Sequence, residues 1–106
     1  MDQSDFPNAI NYFEQCFKFA VEADDNSKKG NAYTNLGIAK FLQGEKEESK
    51  TYFLQALDFR KKVGNIASIC DGYLNYGGIL FELEDYNGAI DYYQMGLKIA
   101  QDNKKY

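Results

Sequence analysis

Asn35 and Asn75 stand 40 residues apart, each followed by a bulky residue and a glycine: Asn35-Leu36-Gly37 and Asn75-Tyr76-Gly77. A primary amide offers both a donor and an acceptor, so it can pair with the N–H and C=O of an extended peptide whatever that peptide's side chains are. Each such bond adds about 0.5–1.5 kcal/mol net, so two amides hold a peptide weakly unless apolar pockets stand beside them. An asparagine bonded within its own fold or to water explains the same residue equally well. The other reactive side chains point to less. The chain has no His, which leaves Cys16 and Cys70 without a partner for a metal site or a catalytic dyad, and both read as free, buried thiols. The neighbouring carboxylates Asp24 with Asp25 and Glu82 with Glu84 point apart on a helix. There is neither a phosphate-binding glycine loop nor a nucleophile elbow. A protein that is not an enzyme, with no cofactor and no metal, is the expectation. The acidic run Glu45, Glu47 and Glu48 reads as a solvated helix face.

The elements that position these residues repeat with the same period. Tyr52-Phe53 returns as Tyr92-Tyr93 and is preceded by Tyr12-Phe13, 40 residues apart each time. Self-similarity at this scale marks a stack of small units that bury apolar faces only against one another. Within a unit the period is helical. Ala9, Ile10, Phe13, Cys16, Phe17 and Ala20 fall three and four apart, as do Tyr86, Ala89, Ile90, Tyr93, Gly96 and Leu97. Ser49, Phe53, Ala56 and Leu57 form the middle copy, with Lys50 and Arg60 in place of apolar residues at its edges. Spacing and breakers predict helices over 6–23, 27–43, 46–63, 66–83 and 86–103, with Asp5, Asp25, Asn65 and Asp85 as caps, Pro7 in a first turn, and left-handed turns at Gly44 and Gly64.

With 106 residues, 44% hydrophobic, the chain suits one domain, and its net charge of −4 disfavours nucleic acid and anionic membrane surfaces as partners. No apolar run approaches the ~18 residues of a spanning helix, and MDQSDFPNAI lacks the features of a signal peptide, so a cytoplasmic location is expected.

The repeated residues resemble the tetratricopeptide repeat family, whose signature is an aromatic, a Leu-Gly three residues on, and small, aromatic and small residues on a second helix. Tyr33, Leu36, Gly37, Ser49, Phe53 and Ala56 fill those places once, and Tyr73, Tyr76, Gly77, Ala89, Tyr93 and Gly96 fill them again. Ala9, Phe13 and Cys16 match the second-helix half of an earlier unit. Tyr76 replaces the usual leucine, Lys40 the usual tyrosine, the closing proline is missing, and the period is 40 rather than ~34. That longer period is similar to the repeats of kinesin light chain, of spindle-orientation adaptors and of bacterial peptide-sensing regulators. The resemblance implies an all-α, right-handed solenoid of helix pairs forming a single domain over 1–106: a partial repeat at 6–23 and full repeats at 27–63 and 66–103.

In that family first helices line a concave groove, which here would hold Asn31, Thr34, Asn35, Ile38, Asp71, Leu74, Asn75 and Gly78. The lysine and arginine clamp with which chaperone-binding relatives grip a carboxylate is absent from these places. The expected partner is therefore a protein or peptide segment with apolar side chains and a basic residue near Asp71. The alternative is self-association into homo-oligomers through uncapped ends. The first helix would present Phe17, Phe19 and Val21, and the last Tyr92 or Ile99.

Overall fold

The structure, a computed structural model, describes residues 6–103. They form five helices: α1 (Phe6–Glu22), α2 (Asn26–Leu42), α3 (Lys46–Val63), α4 (Ile66–Glu82) and α5 (Tyr86–Asp102). Each end agrees with the sequence expectation to within one residue, because side-chain caps fix the starts. Asp25 Oδ1 accepts from the Lys28 amide at 3.1 Å, Asn65 Oδ1 from Ser68 at 2.9 Å and Asp85 Oδ1 from Gly88 at 3.0 Å. The cap expected at Asp5 lies outside the described residues. α3 starts without a side-chain cap, and it carries Glu47 and Glu48 in its first turn and Arg60, Lys61 and Lys62 in its last. Charges matched to the helix dipole at both ends supply part of what the missing cap does not.

The turns share one geometry at half the repeat period. Asp24 (φ 51°), Gly44 (φ 86°), Gly64 (φ 83°) and Glu84 (φ 65°) all sit in the left-handed region. Gly44 and Gly64 meet the expectation. Asp24 and Glu84 adopt the same conformation against the preference of L residues.

Each helix backbone packs against its neighbours in sequence, the Phe17 and Phe59 rings meet from α1 to α3 at 5.9 Å, and among the described residues the first and last helices do not pack on each other. The outcome is a thin slab of 46 × 36 × 19 Å with a radius of gyration of 14.3 Å, above the ~13 Å of a compact chain this long. That is the all-α, tetratricopeptide-like solenoid the repeats imply. The repeated glycines allow the close approach. A Cβ on Gly37 would meet the Phe53 ring at 3.1 Å, and one on Gly77 the Tyr93 ring at 2.9 Å. Ser49, fully buried, donates its hydroxyl to the Gly37 carbonyl at 2.7 Å and holds α2 and α3 at that spacing. Phe53 of α3 joins Tyr76, Ile79, Leu80 and Ala89 in a core shared by the last two repeats.

Four expectations about packing need correction. Phe17 is not presented outward: its ring stacks on Tyr33 at 4.1 Å and 11°, facing α2 while its neighbour Phe19 is exposed. Cys16 and Cys70 are free but only half-buried. Cys16 borders an open recess, and the Cys70 thiol reaches the Gly96 carbonyl at 3.5 Å. On α5 it is Ile90 and Leu97 that are uncovered, whereas Tyr92 packs edge-on against Tyr76 at 4.6 Å and Ile99 is half-buried. Tyr93 shares the helical stripe of Phe53 but is 37% exposed where Phe53 is buried, with one edge of its ring against Gly77 and its hydroxyl beside Gly78. Among the described residues, no helix is long and apolar enough to cross a membrane.

Candidate functional site

Between α2 and α4 lies a recess of about 240 Å³. α2 contributes Ile38 and Phe41, α4 contributes Leu74, Asn75, Gly78, Ile79 and Glu82, and Phe53 of α3 also lines it. Its size falls below the roughly 300–1,000 Å³ of sites that enclose small molecules, so it suits a single side chain. Ile38 (46% exposed) and Leu74 (48% exposed) leave apolar surface open at its mouth. Asn75 is half-buried beside them, and its amide forms no hydrogen bond with another described residue. A second, wider recess of about 500 Å³ separates α1 from α2. Tyr12, Phe13, Cys16 and Phe19 wall it on one side, Lys28, Asn31, Ala32 and Asn35 on the other.

The eight residues predicted for the groove thus divide. Ile38, Leu74, Asn75 and Gly78 come together in the smaller recess; Asn31 and Asn35, both exposed, face the larger one. Asp71 is exposed and lines neither. Thr34 lines neither as well, and its hydroxyl is engaged internally: it donates to the Gly30 carbonyl at 2.9 Å and accepts from Arg60 Nη2 at 3.1 Å.

Arg60 is the centre of that contact. Its other nitrogen, Nη1, donates to the Ser68 carbonyl at 3.0 Å and to Ser68 Oγ at 3.2 Å, so one guanidinium ties α2, α3 and α4 together. Its Nε is buried without a partner. At the other end of the same helix pair, Lys40 on α2 pairs with Glu48 on α3 at 3.0 Å, and this hydrogen bond holds the ammonium above the ordinary lysine value. Burial raises the Tyr33 and Tyr76 phenols, with Tyr52 adding to the first, and Tyr92 and Asp85 to the second. Among the described residues no cluster of His, Cys, Asp and Glu has the make-up of a metal site.

A family model described as tetratricopeptide repeat matches residues 1–62, more than half of the chain, and a second of the same description matches residues 71–103. The chain belongs to the tetratricopeptide repeat family. No curated protein matches it. Tetratricopeptide repeats mediate protein–protein interactions and are in general scaffolds rather than catalysts. Within this tetratricopeptide stack, two residues that line the smaller recess, and the arginine that ties three helices together, were not among the expected site residues. Glu82 was legible, because it continues the helical spacing of Asn75, Gly78 and Ile79. Phe41 likewise lies three residues beyond Ile38. Arg60 carried only the signal of a polar residue where its register equivalents are Ala20 and Ala100.

Proposed function

We propose that this tetratricopeptide domain binds an extended peptide segment of a partner protein on the face formed by α2 and α4. The unengaged amide of Asn75, half-buried between two exposed apolar side chains, carries this reading. The amide pairs with the peptide backbone, while an apolar side chain of the peptide enters the recess over Phe53 and Ile79. Glu82 at the recess and Asp71 on the same helix favour a lysine or arginine in the ligand. Asn35 and Asn31 extend the polar track along α2.

A peptide-library selection tests the proposal, run on the parent domain and on Asn75→Ala and Asn35→Ala. Enriched peptides carrying an apolar anchor beside a basic residue are expected, with Asn75→Ala binding them about fivefold more weakly. Absence of enrichment on the parent domain sinks the reading, and equal binding of matched acidic and basic peptides removes the charge preference.

Self-association is the second reading, favoured by α5. Leu97 is 58% exposed, whereas Leu57, 40 residues earlier, is 1% exposed between α3 and α4. Light scattering that finds a monomer at high concentration rules it out.

A further inference from the structure

A third recess, of about 210 Å³, lies between α1, α2 and α3 and is lined by Glu14, Phe17, Tyr33, Leu36 and Tyr52. It shares no residue with the recess over Asn75. Phe17 stacks on Tyr33 at 4.1 Å and 11°, which makes one thick aromatic wall, and Tyr52 stands to Tyr33 at 5.2 Å and 73°. The two walls meet at nearly a right angle. All three rings are half-buried, Leu36 forms a buried floor, and Glu14, exposed one turn before Phe17, sets a carboxylate at the rim. Among the described residues Glu14 forms no ion pair. Lys40, whose charge is felt by Tyr52, is already paired with Glu48.

The next repeat shows this register when it only packs. The equivalents 40 residues on are Leu54, Leu57, Tyr73, Tyr76 and Tyr92. There Leu57 is buried against the Gly72 backbone of α4, and the buried Tyr76 ring meets Tyr92 edge-on at 4.6 Å. The first copy differs at three of these places, and each change has a consequence. Leu36 in place of Tyr76 withdraws a ring and leaves space beside Tyr52, Phe17 in place of Leu57 adds an aromatic, and Glu14 in place of Leu54 brings a negative charge. Phe17 faces α2 as Leu57 faces α4, so helices that are all described enclose the recess.

We propose that this corner binds a methylated ammonium group, a cation of the choline or trimethyllysine type. Aromatic surface attracts a cation by about 0.5–1 kcal/mol at exposed sites and about 2 kcal/mol where water is excluded, and a cation seated in the corner touches both walls. Methyl groups favour this exchange. A bare lysine ammonium is compact and strongly hydrated, so it gains less on leaving water. Glu14 attracts the positive charge without requiring a donated hydrogen bond, and it disfavours an anion in the same place. The volume, below the roughly 300–1,000 Å³ of sites for larger molecules, suits a head group of this size.

The test is a titration of the intact chain, followed by heteronuclear NMR, with choline, with a peptide carrying trimethyllysine, with the same peptide carrying unmodified lysine, and with the neutral alcohol in which tert-butyl replaces the trimethylammonium of choline. Saturable shifts at Glu14, Phe17, Tyr33 and Tyr52 are expected with the methylated cations, and binding at least about tenfold weaker with the alcohol and with unmodified lysine. A stronger response to the peptide assigns the group to a protein side chain, and a stronger response to choline assigns it to a free solute. Glu14→Gln should weaken binding about threefold, and Tyr52→Leu, which keeps apolar bulk without the ring, about tenfold. Leu36→Tyr, verified as folded by circular dichroism, restores the ring that fills the next repeat and should abolish binding. Equal binding of the neutral alcohol or of unmodified lysine overturns the proposal, as do shifts confined to residues outside the recess, no saturation by either methylated cation, or binding by Tyr52→Leu as tight as the parent's.

Discussion

Gly30 and Gly37 lie on one face of α2, and replacing each by alanine should move stability in opposite directions. In a helix interior, glycine is less favourable than alanine by about 0.8–1 kcal/mol, so both substitutions start with a gain of that order, somewhat smaller for Gly30 in the second turn. What the new methyl meets decides the sign. At Gly30 its nearest neighbours are the Ala56 carbonyl, Arg60 Cγ and Phe59 Cβ, all at 3.5 Å, an ordinary contact distance. The gain stands, and Gly30→Ala is expected to stabilise by about 0.5–1 kcal/mol. At Gly37 the methyl would lie 3.1–3.2 Å from three atoms of the Phe53 ring. That ring is 8% exposed and caged by Tyr76, Ile79, Leu80 and Ala89, while the Ser49 bond to the Gly37 carbonyl resists separation of the helices. Overpacking of this kind costs about 1–3 kcal/mol, so Gly37→Ala should destabilise by about 1 kcal/mol net. With each kcal/mol worth roughly 4–6 °C at this chain length, the two midpoints should differ by about 8 °C in thermal unfolding followed by far-UV circular dichroism. A Gly37→Ala midpoint at or above that of Gly30→Ala would refute the reasoning, since it would mean the Phe53 ring is free to move.

Arg60→Lys keeps the charge but loses the fork that reaches both Thr34 and Ser68, and it should cost about 1 kcal/mol in urea unfolding. Arg60→Ala also removes the stem that packs on Gly30 and Gly72 and should cost about 2 kcal/mol. Glu84→Gly relieves a left-handed residue at an exposed turn; after the added freedom of the unfolded chain is set against it, a rise of about 0.5 kcal/mol should appear as a melting point about 3 °C higher. Above the ordinary phenol value of about 10, unfolded tyrosines ionise while Tyr33 and Tyr76 still hold their protons, so stability is complete below that pH and declines as pH rises through the raised values. Lys40, paired with Glu48, adds in the same direction. Tyr33→Phe with Tyr76→Phe should flatten the alkaline loss in denaturant titrations run at successive pH values, and an unchanged slope counts against burial as its cause.

The helix ends and their order were legible because capping is local chemistry. An Asp or Asn three residues before a free amide needs nothing from the rest of the fold, and Asp25, Asn65 and Asp85 all act as their types suggest. The left-handed turns at Asp24 and Glu84 were less legible, because there the position in the repeat overrides the residue's own preference. Exposure was less legible still. Cys16 and Phe17 are adjacent and about 100° apart around α1, so one faces the open recess while the other stacks on Tyr33, and only the side on which α2 docks determines which is which.

The same reasoning separates Asn35 from Asn75, which sequence alone makes equivalent. The 40-residue period guarantees them the same place on their helices, and the structure keeps that promise. Their surroundings come from the helix in front. Asn75 has α2 before it, with Ile38 and Phe41 forming the opposite wall of a recess for one side chain. Asn35 has α1 before it, which packs on α2 through Phe17 and Tyr33 but leaves a gap of about 500 Å³ rather than 240 Å³ beside the amide. A repeat motif therefore encodes the position of a binding group, while the pocket around it is written by the neighbouring unit.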